Sequence, residues 1–309
     1  MMNRKRTLLS AAIVLLAGVC GGCAAPLGEP LPSAKPFSTA GLCEQAGQPL
    51  VIPEAIAATL ADDSGADGDA LADALLQKAS LEVVHYAADQ SVCEAIFDQG
   101  RATFAAALER NQLALRKVGG YRAAKDPGIA SVQAQITQLW REDQSARGAY
   151  IGAKTDDDRG VAFWAQRLAT AHASRVDEKS TRYMRNLLQD IDWVDQDRYG
   201  KDVSAHAWIL VQHADDHVGL QQLALDRMTP FLASGGIKPA NYAYLWDRVA
   251  VNTGKLQRYG TQPTWECSDS GQLTLQPMED PEGVNARRAE MGLNTVEEGL
   301  SSMAASVCF

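Results

Sequence analysis

From Pro53 to Val118, apolar residues recur at helical spacing. Leu71, Ala74, Leu75, Ala79 and Leu81 fall on one stripe, and Ala95, Ile96, Phe104 and Leu108 on another. Gly65 and the aspartates Asp62, Asp63, Asp67 and Asp69 interrupt the first stretch. The turn signal Asp126-Pro127-Gly128 marks a boundary, after which the stripes lengthen. Val132, Ile136, Leu139 and Trp140 predict one helix; Trp164, Leu168 and Ala171 a second; Met184, Leu187, Leu188 and Ile191 a third. Ser204 serves as N-cap of a fourth, with Ala205, Trp208 and Ile209 inward. A fifth covers Leu220 to Leu232 and stops at Gly235-Gly236, and a sixth, through Tyr242, Leu245, Trp246 and Val249, ends near Gly254. Thr264 to Cys267 and Gln272 to Leu275 flank Ser268-Asp269-Ser270-Gly271 as a β-hairpin, and a last helix runs from Asp280-Pro281-Glu282 to Gly292. The expected fold is mainly α: a helical C-terminal domain with one small β-hairpin over 126–309, preceded by a smaller helical module over 43–125.

The N-terminus changes where this fold is placed. Arg4, Lys5 and Arg6 precede a short apolar run, Leu8 to Val19, too short for a membrane span of roughly 20 residues. Residues 1–22 therefore read as a signal peptide. The string Gly21-Gly22-Cys23 resembles a bacterial lipoprotein signal, which implies lipidation of Cys23. The absence of Asp after Cys23 then implies an outer-membrane lipoprotein facing the periplasm. The alternative is cleavage after Ala25 and a soluble periplasmic protein. Residues 23–42, rich in proline, read as a tether.

The formal net charge of −9, with no Lys/Arg cluster beyond the first residues, excludes a nucleic-acid partner. Cys43, Cys93, Cys267 and Cys308 form an even set suited to two disulfides in an oxidising compartment. Three pairings are open, of which Cys43–Cys93 with Cys267–Cys308 closes the shorter loops.

Candidate chemistry lies where charge interrupts apolar faces. Asp143, Gln144 and Arg147 continue the buried stripe of their helix, as a helix-end ion pair or as one wall of a polar pocket. Trp208, Ile209, Gln212 and His213 share a face, so His213 points inward. His206, His213 and His217 share a face only on an uninterrupted helix, and Asp215 is a natural N-cap that breaks it. Asp247 and Arg248 sit beside an apolar stripe. Gln257, Tyr259, Thr261 and Gln262 form a donor-rich loop, and Asn285, Arg287 and Arg288 lie on the last helix. The strings DQxxR, QHAD, DRV, GKxQxYGTQ and VNxRRxxxGL resemble, in order and spacing, the motif series of an uncharacterised bacterial domain family across about 130–300. The resemblance implies only that these motifs belong to one domain.

The expected function is binding of a small polar or peptidic, anionic ligand through Arg147, Gln144, Arg248, Gln257, Tyr259, Thr261, Gln262, Asn285, Arg287 and Arg288, since guanidinium forks suit carboxylates and phosphates. One alternative is a hydrolase with His213 as general base or metal ligand, supported by Asp143 and Asp247. Another is an envelope scaffold that docks a protein through 43–120. No cofactor signature is present, and a divalent metal enters only through His213, Asp215 and His217.

Overall fold

The computed structural model describes residues 37–308 except 62–66, 117, 119, 155 and 156. Cys23, the signal peptide and the tether up to residue 36 lie outside the described residues, as do Asp62, Asp63 and Gly65. The fold is mainly α. Its helices are α1 (Glu54–Ala61), α2 (Gly68–Tyr86), α3 (Gln90–Leu115), α4 (Pro127–Ala153), α5 (Arg159–Asp190), α6 (Gln196–Tyr199), α7 (Lys201–Gln212), α8 (Val218–Ser234), α9 (Pro239–Asn252), α10 (Val284–Glu290) and α11 (Val296–Val307). Among the described residues no helix is long and apolar enough to cross a membrane.

The chain divides into two compact units. Among the described residues, the first holds 37–123 and 131–183, and the second 124–130 and 184–308. The boundary expected near residue 126 is instead a helix start: Pro127 opens α4, and the Asp126 carboxylate accepts the Ile129 amide at 2.9 Å.

The first unit is built on the predicted stripes. Leu76, Ala79 and Val83 of α2, Phe97, Phe104 and Ala107 of α3, Ala149 and Ala153 of α4, and Trp164, Leu168 and Ala169 of α5 share one core. Gly100 admits Trp164, since a Cβ there would lie 2.8 Å from Cδ1 of the indole. The Cys43–Cys93 disulfide fastens the 3-10 turn Leu42–Gln45 to α3. Buried Glu142 of α4 accepts from Lys179 of α5 at 2.7 and 2.9 Å. The sequence suggests two helices where α5 is one. Its central residues Ser174 to Lys179 lack an apolar stripe but are carried by polar contacts with α4.

In the second unit α7, α8 and α9 pack on one another. Gly235, at φ 76°, ends α8 where the sequence expects it. Ser204 does not cap α7. The helix starts a turn earlier, after Gly200, and Ser204 is buried inside it. The predicted hairpin is reduced to one isolated antiparallel bridge, Pro263–Leu275, although its turn closes through Gly271 N–H to Ser268 O at 2.9 Å. Pro263 has no N–H to give, and Trp265 takes φ 59°, which breaks the extended chain. The helix expected from Asp280 starts only at Val284, and a further helix, α11, follows with a Thr295/Glu298 capping box. The Cys267–Cys308 disulfide joins the 263–278 segment to the end of α11.

Candidate functional site

The loop 257–262 is held from inside the second unit. Asp247 of α9 is fully buried. Its Oδ1 accepts the amides of Arg258 (2.7 Å) and Tyr259 (3.0 Å), and its Oδ2 those of Thr261 (2.8 Å) and the Thr261 hydroxyl (2.9 Å). Burial pushes this carboxyl upward, and the four donors pull it back only in part. With its lone pairs spent, the carboxylate works as a loop anchor. Gln257 does the same with an amide: its Nε2 donates to the carbonyls of Gln262 and Gln276, both at 2.9 Å, and its Oε1 accepts the Gln262 amide at 2.7 Å. Gln262 Nε2 donates to Thr261 Oγ1 at 3.0 Å.

The arginines of α10 close the other side. Arg288, 2% exposed, donates through Nη1 to the carbonyls of Tyr259 (2.8 Å) and Gly260 (3.1 Å), and through Nη2 to that of Thr295 (3.2 Å). Arg287 donates to the carbonyls of Arg258, Glu279 and Asp280 and to the Asp280 carboxylate. Asn285 Oδ1 accepts the Val296 amide at 2.9 Å. The Tyr259 side chain is buried, which raises its hydroxyl pKa despite the opposing Arg258 charge. The three strings DRV, GKxQxYGTQ and VNxRRxxxGL thus meet, and their donors are engaged with the chain itself.

A different situation holds on the facing sides of α7 and α9. The Asp215 carboxylate accepts from Arg248 Nη1 (3.2 Å), Asn252 Nδ2 (3.3 Å) and Gln221 Nε2 (3.2 Å), which brings QHAD onto DRV. Asn252 also donates to Gln221 Oε1 at 3.0 Å. One helical turn apart on α7 stand Trp208 and Gln212, and one turn apart on α9 stand Tyr244 and Arg248. The rings of Trp208 and Tyr244 meet edge to face at 6.1 Å. Above that pair, Arg248 reaches Asp215, three residues beyond Gln212, so Gln212 and Arg248 occupy neighbouring levels. Trp208, Gln212 and Arg248 are 5%, 5% and 6% exposed. Trp208 Nε1, Gln212 Oε1 and Arg248 Nε make no hydrogen bond among the described residues. Burying such groups without partners costs roughly 1–3 kcal/mol each, and these three belong to facing turns of α7 and α9. Trp208 and Gln212, which the sequence placed on the inward face of their helix, were not among the residues chosen for the site. Their signal was a glutamine on the buried stripe of a helix, one turn after a tryptophan.

His213 is buried at the C-cap of α7, and His217 is the N-cap of α8. The helix breaks between them, as the position of Asp215 suggested, although His217 rather than Asp215 takes the cap. Among the described residues of this unit, no three ligand atoms of His213, Asp215 and His217 gather within reach of one ion.

In the first unit Asp143 and Arg147 are buried, as their stripe predicted. Arg147 Nε meets Asp143 Oδ1 at 2.9 Å, and Nη2 meets both oxygens of Asp177 at 2.8 and 3.0 Å. Gln144 donates to the other Asp143 oxygen at 2.7 Å. Burial alone would depress the guanidinium pKa, but the two carboxylates reverse this and hold it above its ordinary value.

A family described as "Family of unknown function (DUF6624)" matches residues 132–306, more than half of the chain, and the chain belongs to it. No curated protein and no solved structure matches.

Proposed function

Starting from membership of a family with no assigned activity, we propose that this chain is a cell-envelope lipoprotein. In this reading it is anchored through Cys23 at the outer membrane, faces the periplasm, and binds a small polar or peptidic, anionic ligand in its C-terminal helical unit. The observation that carries the binding reading is the buried, unsatisfied set on α7 and α9, with Arg248 as the cation. Arg287, Arg288 and Gln257 act as the frame of the site, because their donors already serve backbone carbonyls. The envelope reading is supported by the leader-like N-terminus and by two disulfides, which persist in oxidising compartments.

Thermal unfolding of the protein with a panel of short anionic peptides tests the binding reading. A ligand present at about a hundred times its Kd stabilises by about 2.7 kcal/mol, a Tm rise of roughly 5–10 °C. No shift with any compound overturns the reading. Release of products from a bound compound, lost in His213→Ala, moves the reading to a hydrolase. The anchor is tested by palmitate labelling in cells: the wild-type chain is labelled and pellets with membranes, and Cys23→Ser does neither.

A further inference from the structure

The unsatisfied atoms on α7 and α9 differ in polarity, and this narrows the ligand. Arg248 Nε and Trp208 Nε1 are donors, whereas Gln212 Oε1 is an acceptor. Two donors and one acceptor on facing turns of α7 and α9 suit a planar group with two acceptor oxygens and a neighbouring N–H. Sulfate fits poorly, because it is fully ionised at neutral pH and brings no hydrogen for Gln212, and a tetrahedral phosphate O–H does not reproduce a planar pair of oxygens with an N–H beside it. The Arg248 guanidinium is already oriented by Asp215 at 3.2 Å, so it is held in place before any ligand arrives. The Asp215 side chain is 40% exposed and Arg248 8% exposed, so solvent reaches the pair from the Asp215 side. The Trp208 and Tyr244 rings supply an apolar floor one turn below.

We infer that Trp208, Gln212 and Arg248 form a site for the carboxylate end of an acylated amino acid, as at the C-terminus of a short peptide. The carboxylate takes the N–H groups of Arg248 and Trp208, and the amide N–H of that last residue goes to Gln212 Oε1. This rests on the binding reading above and specifies its ligand.

The test uses the purified soluble chain from residue 24 and four probes: N-acetyl-L-alanyl-L-alanine, its C-terminal amide, the D,D-dipeptide, and inorganic phosphate. Calorimetry gives the affinities, and the indole N–H resonance of Trp208 in a ¹H–¹⁵N spectrum reports contact without any substitution. Support is binding of a free-carboxylate dipeptide, a shifted Trp208 resonance, and loss of about tenfold or more in affinity for the amidated form. The L,L and D,D probes separate a protein-derived end from a cell-wall-derived one, and either supports the site. Trp208→Phe removes the indole N–H together with part of a buried ring, so it is expected to lower the urea midpoint as well as to bind the dipeptide about tenfold more weakly. The unsubstituted Trp208 resonance keeps contact readable apart from that loss. Equal binding of acid and amide, equal binding of phosphate, or an unmoved Trp208 resonance on saturation overturns the carboxylate assignment while leaving a binding protein. Absence of binding by every probe, together with a flat thermal panel, overturns the binding reading itself.

Discussion

Asp247 accepts three amide N–H groups and one hydroxyl while fully buried. Asp247→Asn keeps its shape but turns an NH₂ toward backbone N–H groups, which can only donate. The expected cost is roughly 2–4 kcal/mol, read as a lower urea midpoint, because donors that lose their acceptor stay buried. His172 behaves differently. Burial, reinforced by the Arg175 charge, holds its pKa down to about 4. An unfolded chain takes this proton near pH 6.5, so between pH 6.5 and 4 the unfolded state binds more protons. Stability is therefore full above pH 6.5 and declines by about 3 kcal/mol as the pH falls through 4. His172→Gln is expected to lose this part of the slope in a series of unfolding curves across that window. At this scale the sequence showed which polar residues lie inward: Asp143, Arg147 and His213 are buried as their stripes required. It did not show what they meet. Gln257, Arg287 and Arg288 look like ligand donors in a string of letters, yet their partners are backbone carbonyls, which every residue carries and no letter reveals.

Helices were the most legible elements, since a period of 3.6 survives in the apolar positions of α2, α3, α8 and α9. Their ends were less so. Ser204 could cap a helix, but Gly200 at φ 86° reaches the start first. The start of α11 was missed: Thr295 and Glu298 form a capping box just beyond the helix read as the last. Each disulfide ties a loop or turn to a helix, with sequence separations of 50 and 41 residues. Loop-closure entropy gives each an upper value of about 4 kcal/mol. Replacing Cys43 and Cys93 together by alanine is expected to lower the unfolding free energy by roughly 2–4 kcal/mol. The measurable sign is loss of protection in hydrogen exchange at the start of α3, with α8 and α9 unchanged.

The family match begins at residue 132, and the sequence suggested a domain from 126. The packing runs otherwise in the first unit. Trp164, Leu168 and Ala169 of α5 share their core with Phe97, Phe104 and Ala107 of α3, and the rings of Phe97 and Trp164 lie 4.9 Å apart. A fragment 126–309 strips these partners away. It is expected to give less soluble protein and to bind more of an apolar dye than 37–309, in line with the exposed surface. A fragment that folds as well as 37–309 would show that the α3–α5 core is dispensable. The sequence could not reveal this arrangement, because which helices share a core is decided by contacts far apart in the chain.

The loop that begins at Gln257 owes its form to main-chain groups. Asp247 holds its N–H groups, while Arg287 and Arg288 hold its carbonyls. The Arg258 side chain, 47% exposed, touches side chains, Glu279 through a long contact and the Tyr259 ring, and takes no part in this main-chain grip. Related chains that keep Asp247 and the two arginines can therefore drift at position 258 through any residue with an N–H, which leaves out only proline. At Gly260 they cannot: φ is 60°, and a Cβ would lie 3.2 Å from the side chains of Leu275 and Met278. Descent can thus rewrite what this loop displays while inheriting its shape unchanged.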